Sequence, residues 1–239
     1  MDLEQLKLSL TGISGEDPCI PVPGNGHRSE FSPADRARGA DWPAHAPTMI
    51  GLERLGNIQE CVEKILADDV PGDLIETGAW RGGACIFMRA LLKAHEVTDR
   101  TVWVADSFAG MPAREHGGED GWFDMPELAV PLDEVKANFA GYGLLDEQVK
   151  FLPGWFDETL ATAPIEKLAL LRLDGDLYSS TMTALEALYP KVSPGGFVIV
   201  DDWWFKSCRE AVTEYRAKHG ITTPIWQADY GYWRVPSAQ

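Results

Sequence analysis

Residues Asp73–Gly83 read DLIETGAWRGG, an apolar strand that breaks into a glycine-bearing turn and continues straight into the helical stretch Ala84–His95. Glycines at a strand-to-helix turn let the backbone come close to a ligand, and the helix N-terminus favours anionic groups. The spacing is not the GxGxxG of dinucleotide binding. Taken alone, the turn suits tight packing of helix on strand as well as it suits a ligand.

Outward from that turn, strands and helices alternate. The strand candidates are Asp73–Thr77, Thr101–Asp106, Val149–Pro153, Leu168–Leu173 and Gly196–Val200, with helical runs at Ala84–His95, Asp133–Tyr142, Ser180–Tyr189 and Cys208–His219. Strands that are apolar on both faces and separated by helices predict a parallel sheet covered on both sides. Thr223–Ala228 and Gly231–Val235 lie too close together for a crossover helix, so they read as an antiparallel hairpin turning at Asp229-Tyr230-Gly231. The expectation is a doubly wound α/β fold with a mostly parallel, seven-stranded sheet. Upstream, Leu52, Leu55, Ile58, Val62 and Ile65 predict a helix from Met49 that Pro71-Gly72 stops. Residues 13–47, rich in Gly, Pro and polar side chains, show no sustained period and read as a leading arm, partly ordered at best. The long acidic stretch Pro112–Pro131 reads as a lid or binding loop.

Composition narrows the function. The 239 residues carry 21 Lys+Arg against 37 Asp+Glu, a net charge of −16, which argues against nucleic acid and against an anionic membrane surface. Cys19, Cys61, Cys85 and Cys208 lie far apart with no CxxC pair, as expected for reduced thiols. No apolar run approaches the ~20 residues of a membrane helix, and the N-terminus lacks a basic start and apolar core. A cytoplasmic protein is expected.

The acids at the strand ends carry the chemistry. Asp106, with Ser107 after it, ends the second strand, where a carboxylate can accept both hydroxyls of a ribose or simply cap the next element. Asp174-Gly175-Asp176 follows the fourth strand and Asp201-Asp202 the fifth. Four carboxylates on one sheet edge would repel one another unless a cation or shifted pKa values intervene. All-oxygen ligation suits Mg²⁺, Mn²⁺ or Ca²⁺ rather than zinc. Adjacent strand residues face opposite ways, so Asp201 and Asp202 can share an ion only if the strand has already ended. Alternation would aim Asp174 and Asp176 the same way.

The stretches ETGAWRGGACIFMRALLKAHEVTDRTVWVADSF, LDEQVKFLPGWFDETL, LLRLDGDLYSST and SPGGFVIVDDW resemble the macrocin and mycinamicin sugar O-methyltransferases, and the novobiocin-pathway enzyme is similar too. The resemblance runs from Asp41 to Arg234 and implies a class I methyltransferase, Rossmann-like, using S-adenosylmethionine and Mg²⁺ (or Mn²⁺) in natural-product tailoring. It implies Asp174, Asp201 and Asp202 as metal ligands and Asp176 as the base. Glu76, Thr77, Gly78, Trp80, Asp106 and Ser107 would line the cofactor. Gly154, Trp155 and Phe156 would flank adenine, and Thr48 and Met49 would close over the methionine end. Residues 1–70 would supply acceptor and subunit contacts, and 71–239 the cofactor-binding domain with its lid at 112–131. The arm and the lid do not follow the family's patterns, and His116 is given no role.

The expected reaction is methyl transfer to a sugar hydroxyl of a glycosylated acceptor, the metal taking two vicinal oxygens while Asp176 removes the proton. The same chemistry on a phenol or catechol is the nearest rival. A nicotinamide oxidoreductase or a non-catalytic nucleoside module is disfavoured by the four-Asp cluster and the missing GxGxxG. Trp42, Trp122, Trp203 and Trp204 are placed to stack on a sugar or ring. A homo-oligomer, dimer or tetramer, is expected.

Overall fold

Alternate residues along the central strands leave for opposite faces of one sheet: Leu74, Val102, Val104 and Leu170 enter one apolar cluster, and Ile75, Trp103, Ala105 and Leu171 enter another. This is the period-2 pattern of a sheet buried on both sides. The computed structural model describes residues 1–22, 26–112 and 125–237. Its strands are β1 (Asp73–Thr77), β2 (Val102–Asp106), β3 (Val149–Pro153), β4 (Leu168–Leu173), β5 (Val192–Val200), β6 (Trp226–Gln227) and β7 (Gly231–Arg234). They lie in the order β3-β2-β1-β4-β5-β7-β6. The first five are parallel, and β7 pairs antiparallel with both β5 and β6. The chain order reverses between β1 and β4, the kind of crevice where open α/β sheets bind ligands.

The helices are α1 (Leu3–Leu10), α2 (Pro33–Arg38), α3 (Gly51–Ala67), α4 (Gly83–Ala94), α5 (Leu132–Gly141), α6 (Phe156–Thr159), α7 (Tyr178–Leu188) and α8 (Lys206–Lys218). Residues of α1, α3, α4 and α5 pack on one face, and those of α7 and α8 on the other. Strand β5 starts earlier than expected because Val192 pairs with Leu168 before a register shift, and the exposed Pro194 sits in that irregularity. All four cysteines are buried and unbridged. Among the described residues, no helix is long and apolar enough to cross a membrane.

The arm is more ordered than its composition predicts. The Arg36 guanidinium is fully buried and grips Asp41 through two nitrogens, Nε to Oδ1 at 2.6 Å and Nη2 to Oδ2 at 3.2 Å. It also donates to the carbonyls of Thr11 (2.9 Å) and Asp17 (2.8 Å). Asp17 in turn accepts from the backbone amides of His45 and Ala46. A polar hub, with no apolar stripe, sets this segment. The arm then docks on the β1–α4 turn, where Gly83 N donates to Pro47 O at 2.9 Å and Arg81 Nη1 to Pro43 O at 2.9 Å.

Candidate active site

Parallel pairing brings the carboxyl ends of β1, β2, β4 and β5 to one edge, where a cavity of about 720 Å³ opens. Its wall includes Glu76, Gly78 and Trp80 from the β1–α4 turn, and Asp106 and Ser107 after β2. Gly154, Trp155 and Phe156 follow β3 on the same wall, and Thr48 and Met49 come from the arm. Asp174, Asp176, Asp201 and Asp202 complete it. Thr77 is buried off this wall, its hydroxyl donating to the Arg172 carbonyl at 3.4 Å. Of the expected lid at 112–131, residues 113–124, with His116 and Trp122, lie outside the described residues. Met125 and Leu128 reach the cavity, and Trp80 Nε1 donates to Glu127 O at 2.8 Å.

Local backbone geometry explains the glycine turn. Gly78 has φ +93°, and a Cβ there would lie 1.7 Å from the Asp174 carbonyl oxygen, so only glycine lets the β1 and β4 loops meet. Three non-glycine residues near the cavity, Trp80, Phe108 and Asp176, also have positive φ. Such conformations cost free energy and cluster at functional sites.

Asp106 ties two loops together. Oδ2 accepts from Ala79 N (2.7 Å) and Trp80 N (3.3 Å), and Oδ1 from Phe108 N (2.7 Å). Burial raises its pKa against the lowering pull of those amides. Its carboxylate therefore shapes the turn as well as facing the cavity.

The acids of β4 and β5 meet as a cluster. One oxygen each from Asp174, Asp201 and Asp202 lie within 4.8 Å of one another. Strand β5 ends at Val200, so Asp201 and Asp202 are free of strand alternation and turn the same way. Strand β4 likewise ends at Leu173, and Asp176 has φ +61°. Alternation therefore does not aim Asp176 alongside Asp174, contrary to the sequence expectation. Instead its amide donates to Asp202 Oδ2 at 2.9 Å and anchors it beside the cluster. Burial pushes the Asp176 carboxyl up to about 7, with the Asp201 charge adding to the shift. Burial, then Asp176 and Asp174, raise Asp202 well above the usual range. Asp174 is raised too, burial outweighing the pull of Arg172.

Two arginines escaped the sequence reading. Arg172, on β4 and paired in register with Glu76 of β1, is fully buried. It donates to Glu76 Oε1, to Asp201 Oδ1 and, at 2.6 Å, to Asp174 Oδ2. Arg54 of α3 places Nε 3.4 Å from Asp201 Oδ1. The signal for Arg172 was a single charge in the apolar run LALLRL, since a charge inside a buried strand must find partners. Arg54 carried no such signal. Of the four tryptophans expected to stack, Trp42 and Trp204 border the cavity. Trp203 is packed under Gly231, and Trp122 lies outside the described residues.

A family model described as macrocin O-methyltransferase matches residues 23–235. The chain belongs to that family. The macrocin O-methyltransferase fold is shared closely with the solved O-methyltransferase NovP, at 51% identity, a TM-score of 0.90 and 98% coverage of both chains. Among curated relatives, a tetracenomycin rhamnosyl 4'-O-methyltransferase from Streptomyces olivaceus is 52% identical over 99% of this chain and 93% of its own. Mycinamicin III 3''-O-methyltransferase from Micromonospora griseorubida is 49% identical over 97% and 95%. This chain is thus an O-methyltransferase on a class I, S-adenosylmethionine-dependent fold.

Proposed function

We propose that this macrocin-type enzyme moves the methyl group of S-adenosylmethionine to a hydroxyl of a deoxysugar on a bacterial secondary metabolite, with Mg²⁺ or Mn²⁺ at Asp174, Asp201 and Asp202. The observation that carries the reading is the meeting of the glycine turn, the three carboxylates and Asp176 in one cavity. The sugar acceptor is supported by the relatives named for rhamnosyl-tetracenomycin and mycinamicin substrates.

The residues suit a divalent cation on two counts. Their donors are oxygens alone, which suits hard ions. Among the described residues, the ion pairs of the five carboxylates Glu76, Asp174, Asp176, Asp201 and Asp202 run to two guanidiniums, those of Arg172 and Arg54. The negative surplus calls for about one divalent ion. When bound, such an ion supplies Lewis acidity that lowers the pKa of a neighbouring hydroxyl.

The chain's own residues do the rest. Asp176, whose amide donates to Asp202, takes the proton leaving the acceptor oxygen; its place in the cavity wall beside the cluster supports that role. The turn from Glu76 to Trp80 and the segment Gly154–Phe156 bind the donor, and the acidic wall favours its cationic sulfur. Trp204, 59% exposed and tilted against Phe205 with ring centroids 3.7 Å apart, offers an aromatic face to the acceptor. Fixing donor and acceptor in line contributes several kcal/mol of the barrier, of the order of proximity effects. Self-association into a dimer or tetramer belongs to the same proposal. It is supported by the exposed Trp226 stacked on Tyr232 at the sheet edge, and a sedimentation mass of one chain would refute it.

The deciding experiment incubates the enzyme with S-adenosylmethionine, MgCl₂ and either a rhamnosylated acceptor or its aglycone. Mass spectrometry should place one new methyl group on the sugar. Methylation of the aglycone phenol instead would refute the sugar assignment.

A further inference from the structure

We propose that Cys85 is a positioning residue for the methyl donor: its thiol fixes the Glu76 carboxylate on the cavity wall so that it can receive a cationic group of S-adenosylmethionine. The inference rests on the reading of Glu76 as a donor contact.

Glu76 is an acid inside the apolar strand β1, buried in the protein and yet part of the cavity wall. A buried carboxylate must be hydrogen-bonded, and its partners set its orientation. Glu76 has partners from two different elements. Arg172 of β4 donates to Oε1, and Cys85 Sγ, in the first turn of α4, donates to Oε2 at 2.9 Å. Arg172 also serves Asp174 and Asp201, so by itself it would draw Glu76 toward the acids that follow β4 and β5. Cys85 ties the second oxygen instead to the helix that begins at the glycine turn. Each carboxylate oxygen has two lone pairs, so these bonds leave Glu76 able to accept from the donor as well.

The thiol suits this task. Burial, and then the charge of Glu76, push its pKa well above the ordinary thiol range, so the sulfur keeps the proton that it donates. Cys85 is fully buried and lies behind the cavity wall, so its influence on the donor runs through Glu76. Serine at this position keeps an O–H donor, and alanine removes the donor altogether.

The test is calorimetric titration of the full chain, wild type, Cys85→Ala and Cys85→Ser, with S-adenosylmethionine and separately with S-adenosylhomocysteine. Cys85→Ala should weaken donor binding by about 10-fold, the scale of one hydrogen bond to a charged group, and Cys85→Ser should stay within about threefold of wild type. An alanine variant that binds the donor as wild type does overturns the proposal. So does a serine variant as impaired as alanine, because packing alone would then account for the loss. Infrared spectra of the wild type read the bond with no substitution. A thiol donating to a carboxylate has a lowered S–H stretch, and that band should shift when S-adenosylhomocysteine binds at Glu76. A band that stays in place overturns the proposal even if neither variant folds. A wild-type chain that binds neither ligand overturns the reading of the donor site, and the inference with it.

Discussion

Gly78 has no tolerable substitute, because both its backbone angle and the space beside it exclude a side chain. Gly78→Ala adds a Cβ against the Asp174 carbonyl at positive φ. Overpacking and backbone strain together should cost about 2–4 kcal/mol of stability, read as a lower urea midpoint. Asp176 sits in the opposite regime, where substitution should spare the fold and stop the chemistry. Asp176→Asn should cut turnover by about 10²–10⁴-fold, the range for a lost general base, while calorimetric Mg²⁺ affinity stays within a few fold. Turnover near wild type with metal binding intact would remove Asp176 from that role. At this scale the sequence was informative about which acids matter, because Asp-Gly-Asp and Asp-Asp stand at the ends of apolar strands. How they are aimed was read from strand alternation, which does not reach past the strand ends. That depends on where β4 and β5 stop, and strand ends are set by tertiary pairing rather than local pattern.

The parallel strands and their helices were legible because their apolar periods are strong, and β1, β3 and β4 begin and end where the pattern placed them. The arm was not, since its order comes from one cation. Arg36 joins Thr11, Asp17 and Asp41, which lie up to 25 positions from it and which no periodicity connects. Arg36→Met would strand Asp41 in a buried position and should destabilise the protein by about 3–5 kcal/mol. Arg36→Met with Asp41→Leu should recover much of that loss, and denaturant unfolding of the four-member cycle measures the coupling. A single variant within a few tenths of a kcal/mol of wild type would show that the hub contributes little to the arm. Because the arm supplies Trp42, Thr48 and Met49 to the cavity, loosening it should also raise the acceptor KM more than it lowers kcat.

Across the whole molecule, the cavity acids make stability depend on pH and on cations. Asp176 is pushed up to about 7, and Asp174 and Asp202 are raised well above their ordinary range, so the folded chain holds these protons more tightly than the unfolded one. That contribution is complete below about pH 4, near the unfolded carboxylate value, and the part from Asp176 is lost as pH rises through about 7. Asp35, lowered to about 2 by Arg28, acts in the reverse sense, but its window lies below pH 4. In EDTA the thermal midpoint should therefore fall between about pH 5.5 and 8, and Mg²⁺ should raise it more at the upper pH, where the ligands are ionised. An equal gain at both pH values would contradict this. The seating of the arm has a different consequence, for which cofactors the sheet can accept. In dinucleotide-binding sheets the pyrophosphate rests on the first helix after β1. Here the first amide of α4 is already bonded to the Pro47 carbonyl, and a Cβ at Gly83 would strike Thr48 at 2.5 Å, so the chain fills the diphosphate seat with its own backbone. NAD and ADP should leave the unfolding midpoint unmoved. The adenosine such a pocket retains is one that arrives without phosphate.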